Sequence, residues 1–477
     1  MIEVEKQSKK REVFDERGNC YVLKSSLGEG GQGIVCETDY ENTLVKICRR
    51  PKADQPQWME HIRWLMQQNM DGLNIARPVA RITKPQPGYV MELMEGLDSM
   101  QKLVEATEVA LQDQGVGEYL KQGGVKRRLQ LLGKLARTLA DLHGRGMAFG
   151  DLSPANVFIS KDPQFSELWL IDCDNICVNQ RASFDITEKL EGKVNRVYTP
   201  FYGAPEIVRG DAMVSSLTDG WSFAVIAYRL LTALHPFIGD MVGDGEPELE
   251  EAALAGQLPW VDHPHDQSNN SSFGLPRHSV LLKPLKDLFE QCFNVGRDVP
   301  EWRPSMAEWA EKLEYCCECL VDCPACSASY FYQPVDKTLV CEFCDEPAKP
   351  VSLLVLKHYL HDLSVLDMDE AKPSDCFIDT GSWQVINAGS KATIKSSAPG
   401  SGFYSTSKIL YDVSLSDDGV SITPSLGISL KIKVGSAMAQ VFTKPFQLTI
   451  AEKLTKDILV SANINDDLAS NLCIFKW

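Results

Sequence analysis

Asp151 and Asn156 lie five positions apart in Phe149-Gly150-Asp151-Leu152-Ser153-Pro154-Ala155-Asn156, and a second carboxylate, Asp172, closes the apolar run Leu168-Trp169-Leu170-Ile171. Two oxygen-bearing side chains of this kind suit Mg²⁺, which prefers carboxylate and phosphate oxygens. The third suits the proton of an attacking hydroxyl. Together they are the parts needed for phosphoryl transfer. Taken alone, acidic and amide residues at loop spacing are more often turn formers. The weight of the reading therefore falls on the elements that must hold these groups and a nucleotide together.

Those elements can be read in chain order. Residues 1–19 are polar and are expected to be a lead-in. Cys20-Tyr21-Val22-Leu23 reads as a strand and runs into Leu27-Gly28-Glu29-Gly30-Gly31-Gln32-Gly33-Ile34-Val35. Glycines between two β-type runs suit a hairpin whose backbone N–H groups approach phosphate oxygens, although such patterns are common in ordinary turns. Asn42-Thr43-Leu44-Val45-Lys46-Ile47 is a strand with a lysine among apolar residues. The stretch 57–66 has helical periodicity, and Glu60, the only glutamate between Lys46 and Met70, is the expected partner of that lysine. Tyr89-Val90-Met91-Glu92-Leu93-Met94 is an apolar strand ending in a glycine-bearing connector.

The spacing of Leu129, Leu132, Leu135, Ala136, Leu139 and Leu142 predicts a core helix over 125–143. Asp172 falls at a strand tip. Residues 173–203 read as a long polar loop, 218–226 as the start of a buried helix, and 241–280 as a Gly/Pro/Asn/Ser-rich insert.

With 477 residues the chain is long enough for two or three domains, and its 44% apolar and 24% charged content is that of a globular protein. A net charge of −17 argues against nucleic acid or anionic membrane as a nonspecific partner. The longest apolar stretch, near 223–234, is interrupted by Arg229, so no membrane span is expected. The charged N-terminal residues carry no apolar signal core, and a cytoplasmic location is expected. Fifteen cysteines then imply thiols and a metal site in preference to a disulfide framework.

Residues 20–315 resemble a eukaryotic-type (Hanks-type) Ser/Thr protein kinase domain, with the motifs in the family's order. The resemblance implies an α+β, two-lobed kinase fold, with an N-lobe over 20–94 and a C-lobe over 95–315. It places ATP against Gly28, Gly30, Gly33, Val35 and Lys46, with Met91 as gatekeeper and Glu92 to Met94 as the adenine hinge. Lys46 would pair with Glu60, Asp151 would be the base, and Asn156 and Asp172 would bind Mg²⁺. Thr199, in Thr199-Pro200-Phe201-Tyr202-Gly203-Ala204-Pro205-Glu206, would lie beside Asp151, as in Ser/Thr kinases. Arg303 matches the arginine that pairs with Glu206, and Asp219 the acid that braces the catalytic loop. Ser183, Thr187 and Thr199 are candidate acceptors.

Five residues in three places depart from the family pattern. Phe149-Gly150 replaces His-Arg, Ser153 replaces a lysine, and Cys173-Asp174 replaces Phe-Gly. Without the arginine, activity is expected not to depend strongly on loop phosphorylation. Without the lysine, one positive charge near the γ-phosphate is lost.

Cys323-Pro324-Ala325-Cys326 and Cys341-Glu342-Phe343-Cys344 form C-x₂-C-x₁₄-C-x₂-C. Four sulfurs in two knuckles complete a closed tetrahedral shell for structural Zn²⁺, and a zinc ribbon is expected over 316–350. Its hairpin would join the β-type runs 330–332 and 338–340. Cys316, Cys317 and Cys319 lie just upstream as competing ligands of poorer spacing. Residues 351–477 carry short β-type runs and read as a β-rich sandwich or barrel for partner binding or regulation. This arrangement, with Asp172-Cys173-Asp174-Asn175, resembles bacterial stress-response kinases associated with tellurium resistance. That likeness implies protein substrates, a von Willebrand-type partner and a partner phosphatase. The function expected is ATP- and Mg-dependent phosphorylation of protein Ser/Thr hydroxyls. The alternatives are a nucleotide-binding pseudokinase scaffold or a small-molecule kinase.

Overall fold

A computed structural model describes residues 11–29, 33–113, 115–179, 197–334, 339–361, 377–465 and 468–476. The chain divides into two compact units, Met1–Glu105 with Thr138–Ile226 and Glu246–Leu258, and Ala106–Arg137 with Ala227–Gly245 and Pro259–Trp477.

The first unit opens with a closed barrel of six antiparallel strands. These are β1 (Arg11–Asp15), β2 (Cys20–Glu29), β3 (Gly33–Thr38), β4 (Thr43–Cys48), β5 (Ala80–Lys84) and β6 (Gly88–Glu92), in the order β1-β2-β3-β4-β6-β5. The expected lead-in is corrected here, because β1 is part of the barrel. Its charged letters conceal an alternation that buries Val13 and Asp15. The Asp15 carboxylate accepts the Arg17 and Asn19 backbone N–H groups at 2.9 and 2.8 Å and closes the turn into β2.

Strand β4 is buried on both faces, and its period of two sorts the side chains. Val45 and Ile47 join Val13, Ile82 and Val90 in one core. Leu44 and Cys48 join Trp58, Ile62, Tyr89 and Met91 in another. Lys46 shares the face of Leu44 and Cys48. That second core is covered by α1 (Gln55–Met66), whose buried residues are Trp58, Ile62 and Leu65.

Further along, β7 (Leu97–Ser99), β9 (Val157–Ser160) and β10 (Leu168–Leu170) form a small sheet in the order β10-β9-β7. Strand β8 (Met147–Ala148) pairs with β11 (Cys177–Val178). The two short pairings bracket residues 149–156 and 171–176, which is how two sequence-distant loops come to face each other. The periodic apolar run forms the helix Gly124–Gly144, with its leucines fully buried.

In the second unit, the stretch expected as an irregular insert contributes the short helices Asp240–Gly243 and Arg277–Val280. Met306–Glu318 is a helix with a complete capping box between Ser305 and Glu308. A six-stranded and a four-stranded antiparallel sheet follow within 353–476. Leu354, Leu356, Leu430, Val460 and Phe475 of the first sheet share one core with Ile394, Val413, Val420, Ile422 and Leu448 of the second.

Candidate active site

Lys46 projects from β4 and is almost wholly buried. Its ammonium bonds to Asp172, and to Asp174 Oδ1 at 2.8 Å. Asp172 stands at φ 61°, ψ 46°, a left-handed conformation, immediately before the 3₁₀ turn Cys173–Asn175. A left-handed non-glycine residue is uncommon and turns the chain sharply. Here it folds two carboxylates separated by one residue onto the same cation. Burial would raise the Asp174 carboxyl, but the Lys46 ammonium and the bonds it accepts outweigh this and hold it below its ordinary value. Asp172 moves the other way, raised by its own burial and by the Asp174 charge.

Asp151 faces a second donor. Thr199 Oγ1 donates to Asp151 Oδ1 at 2.8 Å. Burial raises the Asp151 carboxyl and the Thr199 bond opposes that rise. Asn156 Nδ2 donates to the Asp151 carbonyl at 2.8 Å, and the Asn156 carbonyl accepts Ile171 N–H at 2.9 Å. The loop carrying Asp151 and the strand end carrying Asp172 are thereby joined through Asn156.

The loop is held from behind by Asp219, which is 1% exposed. Its carboxylate accepts the backbone N–H groups of Phe149 at 2.6 Å and Gly150 at 2.9 Å, and lies 2.9 Å from His143 Nε2. The glycine is required at this place. Gly150 has φ 95°, and a Cβ there would stand 2.8 Å from the Asn175 carbonyl oxygen. The position usually held by arginine therefore has neither the backbone conformation nor the space for a side chain.

Residues 21–313 match the family model described as the protein kinase domain. The chain belongs to the protein kinase family. It is 35% identical over 133 residues to the serine/threonine-protein kinase pkn2 of Myxococcus xanthus, covering 28% of this chain and 15% of that protein. It is 27% identical over 314 residues to the serine/threonine-protein kinase PknD of Protochlamydia amoebophila, covering 61% of this chain and 30% of that one. Protein kinase C delta type of Rattus norvegicus is 31% identical over 212 residues, covering 44% and 24%. The chain thus spans under a third of the length of each of these relatives.

Within the kinase domain, one expected contact is not formed. Glu60 does not pair with Lys46. It bonds to Arg63 at 3.3 Å, approaches Arg81 at 4.0 Å, and its side chain is 65% exposed. The reason is helical phase. Glu60 is two residues from both Trp58 and Ile62, about 200° around the axis from each, so it lies opposite the buried face. Its place beside the lysine is taken by Asp174, which sequence reading had not singled out as a site residue. The helical phase of 58–65 was a signal that could have excluded Glu60.

The remaining expected ATP-site residues are dispersed along the barrel. Gly28 pairs with Val35 across β2 and β3, and Val35 packs against the core holding Tyr89 and Met91. Gly33 lies against β4, where a Cβ would stand 2.7 Å from the Ile47 carbonyl oxygen. Met91 is buried at the end of β6, Glu92 is exposed, and Met94 is half-buried. Gly30, Ser183 and Thr187 lie outside the described residues.

The cysteines form a separate cluster in the second unit. The sulfurs of Cys323, Cys326, Cys341 and Cys344 all lie within 4.8 Å of one another. Cys323 is 3.6 Å from Cys344 and Cys326 is 3.7 Å from Cys341. A tetrahedron with Zn–S bonds of about 2.3 Å has sulfur–sulfur edges of about 3.8 Å, so this donor set fits zinc. Cys316, Cys317 and Cys319 are not members of the cluster. The expected hairpin between 330–332 and 338–340 is replaced by another pairing. Ser329–Phe331 pairs with Leu320–Asp322, and among the described residues Val340 bridges to Pro347.

Proposed function

We propose that the protein is an ATP- and Mg-dependent serine/threonine kinase acting on protein hydroxyls. The observation that carries the reading is the Thr199 hydroxyl on the Asp151 carboxylate at 2.8 Å. An alcohol is already seated on the acceptor oxygen, where an incoming Ser or Thr hydroxyl would present its proton. Asp151 would orient that hydroxyl and take its proton as the oxygen attacks the γ-phosphorus and the bond from that phosphorus to the β–γ bridging oxygen breaks, releasing ADP. Lys46 neutralises phosphate charge, and Asp172 with Asn156 offers the oxygen ligands for the metal. Bound Mg²⁺ would supply charge stabilisation on the phosphates. Gly28 and Gly33, on β2 and β3, would lie beside the phosphates, and Met91 to Met94 would line the adenine edge. Asp219 keeps the loop in place, so the chemistry is mainly positioning.

Finer parts of the reading draw on other observations. The sulfur spacing supports a structural zinc at Cys323, Cys326, Cys341 and Cys344 within a ribbon over 316–350. The double-sheet region over 351–477 is taken as a docking or regulatory module. The order of these parts, with Asp172-Cys173-Asp174-Asn175, supports a place in bacterial stress signalling, with a von Willebrand-type partner and a phosphatase. A cytoplasmic location accords with the free cysteines.

Transfer from γ-labelled ATP to a generic Ser/Thr protein substrate tests the activity. Asp151→Asn should reduce it by about 10³-fold or more while leaving nucleotide binding intact. Full turnover in that variant would refute the assignment of the base.

A further inference from the structure

The acidic partner of the nucleotide-site lysine lies on an unexpected element. Asp174 is 2% exposed and uses both oxygens: Oδ1 takes the Lys46 ammonium at 2.8 Å, and Oδ2 takes the Trp58 indole N–H at 3.0 Å. Trp58 is the first buried residue of α1 and lies tilted against Tyr89, with ring centroids 5.9 Å apart and the planes at 39°. One turn on, the His61 ring meets backbone groups of Asp174 and Ile176. Helix α1 therefore touches the lysine's environment through Asp174 and not through a glutamate of its own.

We propose that Asp174 is the acidic anchor that positions Lys46 for nucleotide phosphates, and that Trp58 is the positioning residue through which α1 holds Asp174. The proposal rests on the reading of this centre as an ATP site. Three features support the exchange of roles. The anchor is two residues from Asp172, on the 3₁₀ turn that Asp172 precedes, so lysine and metal-ligand carboxylate are set by a single short segment. Glu60 cannot replace it without rotating α1 by about half a turn, which would withdraw Trp58, Ile62 and Leu65 from their core. And the indole donates to the oxygen that the lysine leaves unused, so its bond and the ion pair are compatible and cooperative.

The test uses the full chain, a fluorescent ATP analogue with Mg²⁺ for affinity, and phosphate transfer for KM and kcat. Asp174→Asn, isosteric and uncharged, should weaken nucleotide binding about tenfold, as should Lys46→Met. The double variant should be no worse than either alone, because the two residues act as one unit. Trp58→Phe keeps the ring and loses the donor. It should raise the KM for ATP about threefold to tenfold with kcat little changed, a split that general loosening of the fold would not produce. Glu60→Gln should leave affinity unchanged. Thermal melts of each variant separate misfolding from loss of the anchor, and Asp174→Glu, which keeps the charge, should recover part of the affinity. Additive losses for Lys46→Met and Asp174→Asn, or a tenfold loss in Glu60→Gln, would overturn the proposal. A wild type that binds the analogue but transfers no phosphate would sink the kinase reading alone, since the binding arm still decides the anchor. A wild type that binds no nucleotide would end both.

Discussion

At the scale of single residues, Gly150 shows how a departure from a family pattern can be a physical requirement. Its φ of 95° and the 2.8 Å approach of the Asn175 carbonyl leave no room for a side chain. Restoring the family's arginine should therefore harm the protein. Gly150→Arg is expected to cost about 2 kcal/mol or more, from backbone strain and the displaced carbonyl, with lower phosphate transfer. Denaturant titration beside an activity assay would check it, and an arginine variant of wild-type stability and higher turnover would contradict it. Asp151 and Asn156 stood out in the sequence because they carry chemistry at a spacing that a short loop can satisfy, and Asp172 because it closes an apolar run; Lys46 and Thr199 were picked out through the family resemblance, since they lie 126 and 48 positions from the carboxylates they meet. Asp174 was harder to see. One more acid in an acidic chain carries no signal until the left-handed turn at Asp172 brings it round to the lysine. Glu60 misled in the opposite way, since proximity along the chain says nothing of helical phase.

Elements explain what residue types could not. The sequence of β1 looks like a solvated tail, yet two inward side chains in five make it a barrel strand. The Ser329–Phe331 strand was visible by composition, but its partner was not, because pairing depends on which strand lies alongside rather than on propensity. Strand Leu353–His361 contains a further case. His358 is fully buried, 3.5 Å from Cys473 Sγ through Nδ1, with no partner on Nε2 among the described residues. Burial pushes its pKa down to about 4, against a smaller opposing effect of Gln384. The imidazole is thus neutral in the fold, while the unfolded chain takes a proton near its ordinary value of about 6.5. Stability should be fully present above about pH 6.5 and should fall as pH drops toward 4, by at most about 3 kcal/mol. Thermal melts from pH 7 to 4 should show this slope, and His358→Gln should flatten it. An unchanged slope in that variant would assign the acid sensitivity to other groups.

For the whole molecule, the cysteine cluster and the β-rich region must be considered together. Cys323 and Cys341 share a core with Tyr330, Leu339, Leu353, Val355 and Val385, so the knuckles and the first two strands of the six-stranded sheet are packed as one body. One zinc per chain is expected on metal analysis of protein purified without chelators. Its removal by a strong chelator should lower the melting temperature of the C-terminal transition and increase proteolysis near residue 353. Metal-free protein with an unchanged melt would count against a structural role. The order of kinase domain, cysteine knuckles and β-type runs was readable from motif spacing and punctuation by Gly, Ser and Asp. What could not be read was the shared core between knuckles and sheet, since it depends on tertiary contact between segments with no common motif.

The indole of Trp58 has one more consequence. Its N–H points at a carboxylate that is itself bonded to the pocket's ammonium, so any ligand that draws Lys46 away changes the charge felt by the ring. An indole's emission colour and yield depend on just such local fields. The chain therefore carries an intrinsic optical reporter of the surroundings of Lys46. With nine tryptophans in all, the signal of interest is the part of the emission that disappears in Trp58→Phe.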